Sequence, residues 1–121
     1  MQEIKKIATG SPWEDIVGYS RAIKIGNTIE VSGTTAPGIN EYDQTVAIIE
    51  SVKKALSEFN ADLSHVIRTR IYCTDISKWE DIGKAHGQYF GATKPVTTMV
   101  EVSKLINQDI LVEIEFSAIV P

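Results

Sequence analysis

The stretch that decides the fold is Ile110–Val120, ILVEIEFSAIV. Val112, Ile114, Phe116, Ala118 and Val120 alternate in it with Glu113, Glu115, Ser117 and Ile119. Alternation with period two marks a strand with one apolar and one polar face. The apolar set is expected to pack under helices, and the carboxylate-bearing set to point to the opposite face.

Working outward, PVTTMVEV at Pro95–Val102 predicts a strand over 96–102, with Thr97, Met99 and Glu101 on the same face as Glu113. Val66–Thr74 predicts another, with Ile67, Ile71 and Cys73 inward, Thr69 the one polar member of that set, and Arg68, Arg70, Tyr72 and Thr74 outward. Tyr19–Ile25 and Thr28–Gly33 read as a hairpin around Gly26–Asn27, two residues that tolerate positive φ. Tyr19, Arg21, Ile23 and Ile25 then share a face. A helix opens at Asp43 or Thr45 and runs to about Phe59, with Ile49, Val52, Leu56 and Phe59 as its apolar stripe and Asn60 as its stop. Ser77 with Glu80 forms a capping box for a second helix ending near Gly91, with Trp79 packed as a staple of its first turn. The order is ββαβαββ, an α+β fold with two helices on one face of a mostly antiparallel sheet. The other face mixes Met, Thr, Tyr and carboxylates, too apolar for open water and too charged for a core. Another subunit is expected to cover it.

The chain has 121 residues with 43% apolar and 23% charged side chains, which fits a single globular domain over 1–121. A net charge of −4, without a basic stripe, argues against a nucleic-acid partner. Lys5–Lys6 and Lys53–Lys54 read as solvated surface. Cys73 is the one cysteine, so no internal disulfide and no cysteine-based metal site is available. No stretch approaches the roughly 20 apolar residues of a membrane span, and MQEIKKIATG lacks the apolar run of a signal peptide. A cytoplasmic protein with no membrane partner is the expectation.

VSGTTA at Val31–Ala36, HVIRTRIYCTDISKWEDI at His65–Ile82, AHGQYFG at Ala85–Gly91 and PVTTMVEVSKLINQDILVEIEFSAI at Pro95–Ile119 resemble, in order and spacing, the Rid proteins, also called YjgF or endoribonuclease L-PSP-like. Gly18–Ala22 resembles that family's GPYSQA-type segment. The resemblance spans residues 15 to 120. It implies a chorismate-mutase-like fold and homotrimers whose sheets form a central barrel, with small-molecule clefts between subunits. It also implies hydrolysis of reactive enamines and imines such as 2-iminobutanoate and 2-aminoacrylate, without cofactor or metal. By the same resemblance Tyr19 is the cleft tyrosine, Glu113 positions the attacking water, and the Ser32–Gly33 backbone lies near the ligand. The family's carboxylate-binding arginine sits in a PARS-type motif. Here the chain reads Pro95-Val96-Thr97-Thr98, so Thr97 takes the arginine's place and Met99 that of a frequent cysteine.

Each candidate also has a plainer role. Glu113 is either the water-positioning base or a polar residue on a sheet face. Glu115 lies two residues away, roughly 7 Å along a strand, so both cannot hold one water. Tyr19 contacts ligand or packs at an interface. Arg21 brings a cation to the cleft or forms a surface salt bridge. His86 is a near-neutral base or a helix-packing residue. Trp13 is a ligand-stacking lid or a subunit contact. His65 reads as surface, and burial silences Cys73. Two functions follow. One is a deaminase-like hydrolase acting on a metabolite without the usual carboxylate, with weak or absent 2-iminobutanoate and 2-aminoacrylate activity. The other is a non-catalytic small-molecule-binding protein. RNA cleavage rests on the family's older name alone.

Overall fold

The computed structural model describes residues 3–121. Strands β1 (Ile4–Ile7), β2 (Ala22–Ile25), β3 (Thr28–Thr34), β4 (Val66–Cys73), β5 (Val96–Glu101) and β6 (Val112–Ile119) form one sheet in the order β1-β2-β3-β6-β4-β5. Every pairing is antiparallel except β4 with β5. A short helix α1 (Pro12–Val17) precedes the long α2 (Glu41–Ser57) and α3 (Trp79–Phe90). The α+β layer of two main helices on a mostly antiparallel sheet is as the patterning predicts. Two elements, β1 and α1, are additions to it.

The alternation in β6 sets the core. Val112, Ile114, Phe116 and Ala118 are buried under α2 and α3, together with Ile49, Val52, Leu56 and Phe59 of the predicted stripe. Asn40, not Asp43 or Thr45, caps α2, its side chain accepting the Asp43 N–H at 2.8 Å. The extra turn buries Gln44, whose Nε2 donates to the backbone oxygens of Gly38 and Asp109 and whose Oε1 accepts the Leu111 N–H. Asn60 ends the segment at φ 58°, as its tolerance of the left-handed region predicts.

Three expectations are corrected. Ile67 is exposed and Val66 buried, because a register shift between Val66 and Arg68 reverses the alternation at the start of β4. Ser77 does not cap α3. Asp75 accepts the Ser77 N–H at 3.0 Å and opens a 3₁₀ turn, Ile76–Lys78, that leads into the helix. Trp79, at the first position of α3, is 56% exposed and so is not a packed staple. Among the described residues, no helix is long and apolar enough to cross a membrane.

Candidate functional site

The site is built around an irregularity in β3. Val31 pairs with Phe116 and Thr34 with Ile114, so Ser32 and Gly33 together oppose the single residue Glu115. This bulge bends the strand. Ser32 is held there by its N–H to the Arg21 carbonyl (3.0 Å) and by its hydroxyl to the Ser20 carbonyl (2.7 Å). Gly33 lies against Glu113. A Cβ at residue 33 would overlap the Glu113 carboxylate, so only glycine admits this approach.

A cavity of about 410 Å³ opens at this point, lined by Tyr19, Arg21, Ser32, Gly33 and Glu113, with Trp13 and Val17 of α1 at its rim. Burial and then the neighbouring Glu115 carboxylate push Glu113 above the ordinary glutamate range, and Arg21 opposes them. Glu115 is occupied differently: it accepts a 2.5 Å hydrogen bond from the Tyr72 hydroxyl and lines a broader hollow with Arg70 and Ser20. That hollow is larger, at about 640 Å³, but Glu113 does not line it. Of the two carboxylates, Glu113 is therefore the one placed to meet a ligand in the smaller cavity.

Tyr19 reaches the cavity from outside the strand. β2 begins at Ala22, and Gly18, at φ 88°, turns the chain out of α1 into Tyr19. Arg21 is not a surface salt bridge. Its side chain is 14% exposed and lies 3.8 Å from the Glu14 carboxylate, and its guanidinium donates to the Thr34 hydroxyl at 3.1 Å. Glu14 is itself buried and accepts from the backbone and hydroxyl of Thr9, contacts that lower its pKa. The charge of Arg21 is thus already countered before any ligand arrives. Sequence reasoning missed Glu14. Its signal is the Ser11-Pro12 start of α1, an N-cap followed by proline at the first helical position, with acidic residues in the first turn.

Thr97, Met99 and His86 form a second group. Parallel pairing sets Thr97 beside Thr69 and Met99 beside Ile71, so both side chains face the helices, and Glu101 lies beside Cys73. This corrects the expectation that they share a face with Glu113. Met99 packs on the core. The fully buried Thr69 hydroxyl is 2.9 Å from Nε2 of His86 and 2.8 Å from the Thr97 hydroxyl. His86 packs on the Phe90 ring at 4.7 Å, and burial lowers its pKa. Thr97 lies on the outer strand, two strand spacings from β6 and on the other face, so the two groups do not meet within one chain. Thr69 was visible in the sequence only as the polar exception among the inward residues of its strand.

The family model described as Endoribonuclease L-PSP matches residues 10–120. Among solved structures, the chain is similar to Rv2704 of Mycobacterium tuberculosis, a member of the YjgF/YER057c/UK114 family, with 46% identity and a TM-score of 0.96 over 98% of this chain and 100% of the other. A RutC family protein of Pyrococcus abyssi is 36% identical over 80% of this chain and 82% of its own length. Reactive Intermediate Deaminase A of Arabidopsis thaliana is 29% identical over 78% of this chain and 56% of its own.

Proposed function

We propose, from the premise that this chain belongs to the Endoribonuclease L-PSP family of YjgF-like proteins, that it is a homotrimeric hydrolase of small C=N compounds lacking a carboxylate. One relative is named a reactive intermediate deaminase, and deamination is the chemistry carried over from it; the C=N substrate is what the family resemblance implies. The observation that carries the reading is the Glu113 carboxylate, half-buried in a ligand-sized cavity against Gly33 with its proton affinity raised. A carboxylate in that state takes a proton from water more readily than a solvated one. As the water oxygen bonds to the imine carbon, Glu113 accepts a water proton and passes it to the imine nitrogen, giving a carbinolamine. In the collapse of the carbinolamine Glu113 takes the hydroxyl proton and returns it to the amine, the C–N bond breaks as the C=O bond forms, and a carbonyl compound and ammonia leave.

Two features support assembly. β5 is an outer strand exposed along nearly its whole length, with Val96 56% and Val100 40% accessible. Such an edge invites coverage by another chain. Trp13, Val17 and Ile106 line or rim the Glu113 cavity while still largely exposed. A trimer would bring the β5 edge of one subunit, carrying Thr97, to the Glu113 cavity of its neighbour.

The test is turnover of a carboxylate-free imine panel by the parent and by Glu113→Gln, alongside sedimentation equilibrium at micromolar concentration. The expected result is a trimer in both and a loss of rate of about 10²–10⁴-fold in the variant. Binding of the same compounds without turnover by the parent would establish a binding protein instead. A stable monomer would remove the cleft.

A further inference from the structure

Arg21 and Glu113 line the same cavity, yet among the described residues no ion pair joins them. Nη2 of Arg21 stands 3.8 Å from Glu14 Oε2, a charge contact and not a hydrogen bond. Its Nη1 donates to the Thr34 hydroxyl at 3.1 Å and, at a long 3.5 Å, to the Gly33 carbonyl. The guanidinium therefore lies along the bulge and not on the carboxylate beside it. Glu14 is fixed for this pairing. It is 5% exposed and accepts the Thr9 hydroxyl at 2.6 Å and the Thr9 N–H at 3.1 Å. Its own carbonyl accepts the N–H groups of Gly18 and Tyr19, which ties α1 to the segment leading into Arg21. The Thr9 hydroxyl holds the Glu14 carboxyl below the ordinary glutamate range, so Glu14 is an anion throughout the range in which Glu113 titrates.

We propose that Glu14 is a positioning residue for the Glu113 base: it keeps the Arg21 guanidinium on Thr34 and off the Glu113 carboxylate, which stays free to take a proton from water. The inference rests on the cleft reading given above and adds to it a residue that does not line the cavity. From where it stands Arg21 already weakens the hold of Glu113 on a proton. Released from Glu14, it would have Glu113 as the carboxylate of the cavity it lines, and an ion pair there would leave Glu113 a poor base. The other titratable groups facing Glu113 are Glu115 on its own strand, Tyr19 in the cavity, and Tyr72 and Lys104 in a second hollow that Glu113 also lines. None of them is bonded to the Glu14 carboxylate, whose partners are Thr9 and Arg21.

Carbon-13 NMR titration of the glutamate carboxyls in the assembled protein tests this without recourse to turnover, with the Glu113 signal assigned by its loss in Glu113→Gln. Glu14→Gln should lower the proton affinity of Glu113 by at least about tenfold, the scale of an opposite charge arriving within about 4–6 Å. Arg21→Gln should raise it. Glu14→Gln added to Arg21→Gln should then change it by less than about twofold, because the group through which Glu14 acts is gone. Thr9→Val, at an exposed position, removes the hydroxyl that fixes Glu14. It should act in the same direction as Glu14→Gln, by less, and carries the test if Glu14→Gln does not fold. Turnover of the imine panel by Glu14→Gln should fall through kcat with KM little changed. An unmoved Glu113 titration in these variants would make Glu14 a structural anchor of α1 and overturn the inference. An equal fall with and without Arg21 would also overturn it, since Glu14 would then act by its own field. If the titrations move as expected while no imine turns over, the positioning stands and the hydrolase reading falls.

Discussion

The carboxylate of Glu113 occupies the space into which a side chain at Gly33 would project. A Cβ there would lie 3.1 Å from Glu113 Cδ and closer still to Oε2. The obstructing atoms are the far end of a flexible side chain, so Gly33→Ala should fold and push the carboxylate out of place. We expect a destabilisation of about 1 kcal/mol, at the low end for overpacking. Turnover should fall at least tenfold. In a urea double-mutant cycle with Glu113→Ala the stability cost should largely vanish, a coupling of roughly 0.5–1 kcal/mol. Additive effects would mean that the two residues do not interact.

Glu113→Gln should change stability with a defined pH dependence. Burial and Glu115 raise the folded pKa of Glu113, while the unfolded chain returns it to about 4.3. The folded state therefore binds the proton more tightly. The stability Glu113 contributes is fully present below its unfolded pKa and is lost as pH rises through the folded value. Glutamine has no such loss. The variant should melt above the parent at pH 7.5, and the gap should close at about pH 4 or below. A variant that melts lower at pH 7.5 would show that the folded protein stabilises the anion.

Hydrolysis of 2-iminobutanoate should be slow. Thr97 has no charge to grip its carboxylate, and Arg21 is held by Glu14 and Thr34. Replacing a bidentate, charge-assisted clamp by one neutral hydroxyl weakens binding by at least about 100-fold. The imine can be generated in place by an amino-acid oxidase and its loss followed in competition with semicarbazide. A rate matching a relative that has the arginine would refute this. Loss of that rate in Arg21→Ala would then identify the replacement cation.

Val100→Lys should dissociate the assembly if β5 is an interface strand. Val100 is 40% exposed on the outer strand, where a lysine would be solvated in a monomer and desolvated under a second subunit. Sedimentation should show monomers for the variant at concentrations where the parent is trimeric. An unchanged oligomer would move the interface elsewhere.

The architecture was legible because burial imposes a period. The β6 alternation and the α2 stripe each repeat enough times to be read from the residues alone. β1, with the mixed sequence IKKI, and the six-residue α1 are too short to repeat anything. Neither register shift leaves a compositional trace, so plain alternation turns Ile67 inward where the structure exposes it. Alternation within β5 does not say which face Thr97 takes, because its strand pairs with β4 in parallel register, and pairing between distant segments is a tertiary fact. The Glu113 group was legible in part. Glu113, Ser32 and Gly33 lie on paired strands, whereas Glu14, which fixes Arg21, lies in a helix with no repeating pattern.

The bulge at Ser32–Gly33 makes the length of β3 as consequential as its composition. Ser32 and Gly33 together oppose the single residue Glu115, so deleting either would restore one-to-one pairing and leave Thr34 opposite Ile114. Buried Thr34 and the site-lining Thr35 would keep their sides, but the two-residue bend that brings Gly33 against Glu113 would be gone. Point substitutions can adjust this segment gradually. A single-codon deletion would leave the core ladder regular and remove the pocket wall, so the extra residue serves the site and not the core.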